Sequence, residues 1–232
     1  MLEAVFFDLY ETLITEFDPQ WQRQPSTAER LGVNQQAFIA AWQESQDARY
    51  TGAFPDFVSA LRYVCDLIGE KPDEAALQEL LQDRVVLKER SMLDIEDAIL
   101  EMVRALLAAG LKVGLISNCV PGDVAEWERS PLAPLIERPV FSYEAGLKKP
   151  DSEIYHLGCR ELGVDPGRAI FVGDGGSDEL HGAAAAGLRP YWASWFIDRW
   201  PAWRQAQDVY VRAREWPRLK SPADLVELLQ VD

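Results

Sequence analysis

The chain has 232 residues, 48% of them hydrophobic and 26% charged, with 15 Gly and 14 Pro. This is the balance of an ordinary folded protein, with room for one large domain or one domain carrying a modest insertion. A formal net charge of -15 opposes binding to nucleic acid or to an anionic membrane, because both draw their affinity from Lys and Arg.

Three cysteines, Cys65, Cys119 and Cys159, stand far apart with no CxxC spacing, which fits neither a disulfide framework nor a zinc site. No stretch reaches the roughly 18 uninterrupted apolar residues of a membrane span, and no signal pattern follows Met1, so a reducing, cytoplasmic setting is expected. His156 and His181 are the only histidines, and acid-base chemistry is therefore expected to fall to carboxylates.

In chain order, the first element is a buried strand, Ala4-Val5-Phe6-Phe7, cut off by Asp8. About 80 residues then separate it from a helix beginning near Asp94, too long for an ordinary crossover. Within that gap Phe57, Ala60, Leu61, Val64 and Ile68 fall on one helical face. Leu77, Leu80, Leu81 and Val85 fall on another after a turn at Gly69 to Pro72. The spacing predicts a small helical domain over residues 15–92, inserted into a core made of residues 1–14 and 93–232. Arg49-Tyr50-Thr51-Gly52 is expected as a turn between insertion helices, with Arg49 and Tyr50 reaching substrate.

Further strands are predicted at Val113-Gly114-Leu115-Ile116, Val140-Phe141 and Ala169-Ile170-Phe171-Val172, each ending in polar residues. Helices lie between them, one carrying Ile95, Ile99, Met102, Val103 and Leu106 and another Ile154, Leu157 and Leu162. The alternation reads as an α/β fold, a Rossmann-like doubly wound parallel sheet with an inserted α-helical cap domain. Tyr191 to Trp216 carries five tryptophans, read as packing for a long excursion over the sheet. A last helix is predicted to start with Ser221 as its cap and Pro222 in its first turn.

In doubly wound sheets ligands bind outside the carboxyl ends of the strands, where Asp8, Ser117, Asn118 and Asp174 are delivered. The stations there resemble the four signatures of the haloacid dehalogenase-like hydrolase superfamily. Asp8-Leu9-Tyr10-Glu11-Thr12-Leu13 resembles the first, Ser117-Asn118 the second, Lys149-Pro150-Asp151 the third and Gly173-Asp174-Gly175-Gly176-Ser177-Asp178 the fourth. The helical insertion is similar to the type 1 cap. The glycine-rich run at 173 is not a dinucleotide loop, because Asp178 stands where the fingerprint needs its last Gly.

Asp8 and Asp174 at one crevice repel unless a cation lies between them, and a few oxygens with room for water suit Mg2+. The resemblance implies a hydrolase in which Asp8 attacks a small phosphorylated substrate and forms an aspartyl intermediate. It implies metal ligation by Asp8, the carbonyl of Tyr10 and Asp174, with Asp178 acting directly or through water. Ser117, Asn118 and Thr12 are then expected on the substrate's oxygens, and Lys149 as the cation that neutralises nucleophile and substrate.

Residue 10 departs from the phosphatase pattern, which places an acid-base Asp there. Tyr is what the 2-haloacid dehalogenase branch carries. Those enzymes need no metal, have Ser and Asn where Asp174 stands, and hold the substrate carboxylate with an Arg directly after a cap Trp, whereas Trp42 is followed by Gln43. With an ordinary pKa of about 10, Tyr10 is expected to protonate an alkoxide but to serve badly as a base. The readings in order are a Mg2+-dependent phosphatase, a catalytically weak binding module and a dehalogenase. The sequence makes no statement on oligomeric state.

Overall fold

The structure is a computed structural model that describes residues 1–20, 24–201 and 207–230. Its frame is a six-stranded, wholly parallel sheet. The strands are β1 (Ala4–Phe7), β2 (Lys112–Ser117), β3 (Pro139–Phe141), β4 (Ala169–Gly173), β5 (Arg189–Ala193) and β6 (Arg218–Leu219). Their order, β3-β2-β1-β4-β5-β6, places β1 at the centre. The chain winds outward from it first on one side and then on the other, which opens a crevice between the ends of β1 and β4. β5 and β6 extend the sheet beyond the four strands expected from sequence.

Every residue of β1 is buried, because both faces of the sheet are covered. Val5 and Phe7 point into a core shared with Ile99, Met102, Val103 and Leu106 of the helix Asp97–Ala108. Ala4 and Phe6 point the other way, toward Ile154, Tyr155 and Cys159 of the helix Ser152–Leu162. The last helix, Pro222–Leu229, starts at Ser221, whose hydroxyl and the carboxylate of Asp224 make a reciprocal cap.

Five helices lie between β1 and the helix Asp97–Ala108: α1 (Thr27–Leu31), α2 (Gln35–Glu44), α3 (Gln46–Tyr50), α4 (Phe57–Leu67) and α5 (Glu74–Leu93). They bury a core of their own, centred on Leu31, Leu61, Val64 and Leu77. Asn34, Asp56 and Asp73 cap α2, α4 and α5 by accepting from backbone N–H groups of the first turn. Two expectations change. Val85 is 46% exposed, because the 20-residue α5 outruns the small bundle, and past Leu80 its buried residues are Lys88, Ser91 and Met92. Arg49 and Tyr50 end α3 rather than forming a turn. The reversal comes after them at Gly52, whose φ of 82° is in the left-handed region and where a Cβ would meet the Tyr143 carbonyl at 2.5 Å.

Candidate active site

Three carboxylates gather where the sheet opens. One ligand oxygen from each of Asp8, Asp174 and Glu179 lies within 4.8 Å of the others. Asp8 follows β1 directly, and its N–H donates to the Val172 carbonyl of β4 at 2.9 Å, which draws the two strand ends together. Asp174 follows β4, with Oδ1 accepting from the Gly176 N–H at 2.8 Å. Glu179 opens the helix Glu179–Ala185, and its Oε1 accepts from the Gly175 N–H at 3.0 Å.

Lys149 is the cation among them. Its ammonium is hydrogen-bonded to Asp8 and, at 2.5 Å, to Glu179. Burial works against its charge, but the two carboxylates outweigh that and hold it protonated. Lys148, its neighbour in sequence, pairs instead with Asp47 of α3 at 3.3 Å. The Lys149 loop is set by close packing: a Cβ on Gly182 of the helix Glu179–Ala185 would lie 2.3 Å from the Pro150 carbonyl.

One ammonium does not balance three carboxylates. Burial, and then the nearby Asp8 charge, push Asp174 up to about 7, and the same two causes raise Glu179 well above the usual carboxylate range. The donor set is therefore hard, oxygen-only and short of positive charge, which fits a divalent ion of the Mg2+ type.

Ser117 ends β2 fully buried, and its hydroxyl has no nitrogen or oxygen partner; its polar neighbour is the Cys119 thiol. A buried hydroxyl left in that state is open to a ligand oxygen. Asn118 differs from expectation. Its amide is engaged with the main chain of Lys149, accepting from the N–H at 2.8 Å and donating to the carbonyl at 2.9 Å, so its first task is to hold the Lys149 loop.

Three further candidates lie as follows. Asp178 is not among the clustered carboxylates: Ser177 and Asp178 both adopt left-handed backbone, with φ of 51° and 55°. That turn sends the Asp178 carboxylate to His181 at 2.8 Å and Arg212 at 3.6 Å, while Glu179 enters the site. Thr12 is fully buried, and its hydroxyl, like that of Ser117, has no hydrogen-bond partner. The Tyr10 phenol donates to the Asp123 carbonyl at 2.6 Å, and burial, followed by the charges of Asp123 and Glu16, raises its pKa far above the ordinary value. Its proton is thereby committed to a backbone acceptor.

Two cavities flank this floor and share Tyr50 and Asn118 as walls. One, about 310 Å³, runs past Lys148, Lys149 and Ser177. The other, about 340 Å³, lies beneath the helical insertion. In the second, Arg84 and Lys88 are matched by Asp123 and Glu16: Arg84 pairs with Asp123, and Lys88 with Glu16 at 2.6 Å and Asp123 at 3.6 Å. Arg49 lies 3.7 Å over the Trp42 ring, donating to the Trp42 carbonyl at 2.9 Å and to Ser45 Oγ at 3.3 Å. Among the described residues Arg49, Lys88 and Lys149 are the buried cations, and Arg49 alone of them has no carboxylate partner.

The excursion after β4 also touches the site. Trp192, Trp195 and Trp200 donate their indole N–H groups to the Asp174 carbonyl, the Thr12 carbonyl and the Glu11 carboxylate at 3.0, 2.8 and 2.9 Å. Sequence periodicity gives no sign of such contacts, nor of Glu179, whose only signal is its place next to Asp178. Trp203 lies outside the described residues.

The sequence profile of the haloacid dehalogenase-like hydrolase family matches residues 2–187, a span that holds all three carboxylates and Lys149. The chain belongs to the haloacid dehalogenase-like hydrolase family. Relatives of this hydrolase fall on both sides of the family's chemistry. It is 28% identical over 185 residues to an (S)-2-haloacid dehalogenase of Pseudomonas putida, covering 74% of this chain and 75% of the relative. It is 33% identical over 84 residues to a phosphoserine phosphatase of Thermus thermophilus, covering 36% of this chain and 34% of that one. A solved family hydrolase from Deinococcus radiodurans, with bound phosphate and sodium, shares the fold with a TM-score of 0.60. Its sequence identity is 21%, and the match covers 98% of this chain and 95% of that one. Among the described residues no helix is long and apolar enough to cross a membrane.

Proposed function

We propose that this hydrolase is a Mg2+-dependent phosphatase acting on small phosphate esters that carry a second acidic group. The observation that carries the reading is the charge on the floor: Asp8, Asp174 and Glu179 converge on a single ammonium, and a divalent cation removes the excess. Asp8 and Asp174 would hold the ion, whose chemistry would be to draw charge from the phosphoryl oxygens. Lys149 holds one Asp8 oxygen, leaving the other to bond to phosphorus as the ester P–O bond breaks, the leaving group departing as an alkoxide that takes its proton from solvent. Water then attacks the aspartyl phosphate, releasing phosphate and restoring Asp8. Ser117 offers its unpartnered hydroxyl to a phosphoryl oxygen. Arg49, a buried guanidinium with spare donors and no counter-ion, suits a carboxylate on the leaving group.

A second reading, carbon–halogen hydrolysis of a 2-haloacid, is favoured by Tyr10 and by the three-quarter-length match to a dehalogenase. It also gains from Arg49, which stacks on Trp42 although Gln43 is the residue that follows it in sequence. Assays of p-nitrophenyl phosphate and 2-chloropropionate, each with Mg2+ and with EDTA, separate the readings. The phosphatase reading expects phosphate release that EDTA abolishes and no chloride release. Chloride release indifferent to EDTA would replace it with the second reading, and inactivity on both would leave a binding module.

A further inference from the structure

The tryptophan-rich segment has a use beyond filling space. An indole has a single hydrogen-bond donor, and burying it unsatisfied is costly. Trp192 is 2% exposed and spends that donor on the carbonyl of Asp174 at 3.0 Å. The N–H of the same peptide group, belonging to Gly175, donates to Glu179 Oε1 at 3.0 Å. One peptide plane is thus clamped at both ends, with the side chain of Asp174 projecting from one side of it and the Glu179 carboxylate fastened to the other.

The clamp lies where the chain reverses. Gly175 has a φ of 91°, in the left-handed region that favours glycine, and the Gly176 N–H beyond it is held by Asp174 Oδ1 at 2.8 Å, so the Asp174–Gly175 peptide itself is held by Trp192 and Glu179. The indole itself is firmly seated. Trp192 lies in β5 opposite Gly173, with Tyr210 edge-on at 5.4 Å and the Arg218 guanidinium 4.6 Å above its ring.

We infer that Trp192 is a positioning residue for the cation site: through the Asp174–Gly175 peptide its indole N–H fixes the spacing of Asp174 and Glu179. The inference rests on the metal-binding reading of the floor. Groups in this position, one bond behind a ligand, typically change metal affinity by about 10- to 100-fold when removed.

The experiment is Mg2+ titration by calorimetry, without substrate, of the unmutated protein, Trp192→Phe and Trp127→Phe. Phenylalanine keeps an aromatic ring and deletes the donor. Trp127 is a buried tryptophan of the sheet core with no part in the clamp. The expected result is a dissociation constant about 10-fold or more higher for Trp192→Phe and unchanged within about twofold for Trp127→Phe. Equal Mg2+ affinity in Trp192→Phe and the unmutated protein, whatever the loss in Tm, would overturn the inference while leaving the metal reading intact. No Mg2+ binding by the unmutated protein would overturn both. Should Trp192→Phe fail to fold, the 15N–1H indole spectrum of unmutated protein takes its place. The Trp192 resonance, assigned through the backbone, is expected to move on Mg2+ addition, and a fixed resonance in protein that binds Mg2+ contradicts the role.

Discussion

The floor and the roof of the crevice treat charge in opposite ways. On the floor three carboxylates surround one ammonium, and the surplus is negative. Under the roof Arg84 and Lys88 pair with Asp123 and Glu16, Glu11 and Asp56 also line the cavity, and Arg49 is the buried cation with no carboxylate partner. Desolvated charge is tolerated when something answers it, so the floor suits a cation, and Arg49 is the one group of the roof that suits an anion. A phosphate ester bearing a carboxylate, presented to a metal-loaded floor, satisfies both at once.

The largest expected effect removes the floor's nucleophile. Asp8→Asn keeps shape and hydrogen-bonding capacity, so turnover should fall by at least about 10⁴-fold while circular dichroism stays unchanged; measurable residual turnover at a tenth of the starting rate would place the nucleophile elsewhere. Next, Asp174→Asn cuts the floor's surplus. Because burial and Asp8 raise this carboxyl from 3.8 to about 7, the folded metal-free protein holds a proton that the unfolded chain has already released between those values. Metal-free stability should therefore fall as pH rises from about 4 to about 7, where the unfolded state binds fewer protons. Asp174→Asn should lose its own share of that slope, the rest staying with the raised Glu179 carboxyl, raise Tm at pH 8 by a few degrees (~2–4 °C per kcal/mol) and abolish stabilisation by Mg2+. A thermal-shift series over pH checks all three.

The roof is broken by Arg49→Gln. KM for carboxylated phosphate esters should rise about 10- to 100-fold, the worth of a charge-assisted hydrogen bond, while p-nitrophenyl phosphate, which has no carboxylate, should change less than about threefold. Equal effects on both would deny the roof its anion. The smallest effect is expected at Tyr10→Phe. Its proton already serves the Asp123 carbonyl, so stability should drop by about 1 kcal/mol with kcat on alkyl phosphates altered less than about threefold. A loss of about 10²-fold or more there would make Tyr10 the acid.

The parts of this scheme that sequence reveals are those fixed by strand ends. An apolar run cut short by a polar residue locates Asp8, Ser117 and Asp174, because a parallel strand must be buried until it leaves the sheet. What sequence hides is set by backbone turns and by partners far along the chain. Asp178 has the right residue type, yet the left-handed pair Ser177 and Asp178 hands the position to Glu179. Arg49 lies seven residues from the Trp42 ring on which it rests, in a separate short helix that no periodicity marks. β5 begins with Arg-Pro and carries Trp192 where a β-branched residue would be expected, so it reads as a loop even though it supplies the clamp on Asp174.

The central claim is that the floor takes a divalent cation between Asp8 and Asp174 while Asp8 accepts a phosphoryl group. Crystallography after soaking with Mg2+ and beryllium fluoride, a phosphoryl mimic, tests it in one experiment. The account predicts beryllium fluoride joined to the Asp8 oxygen that Lys149 does not hold, with Mg2+ ligated by Asp8 and Asp174. A mimic bound away from Asp8, or a floor that remains closed by Lys149 with no metal at saturating Mg2+, would contradict it.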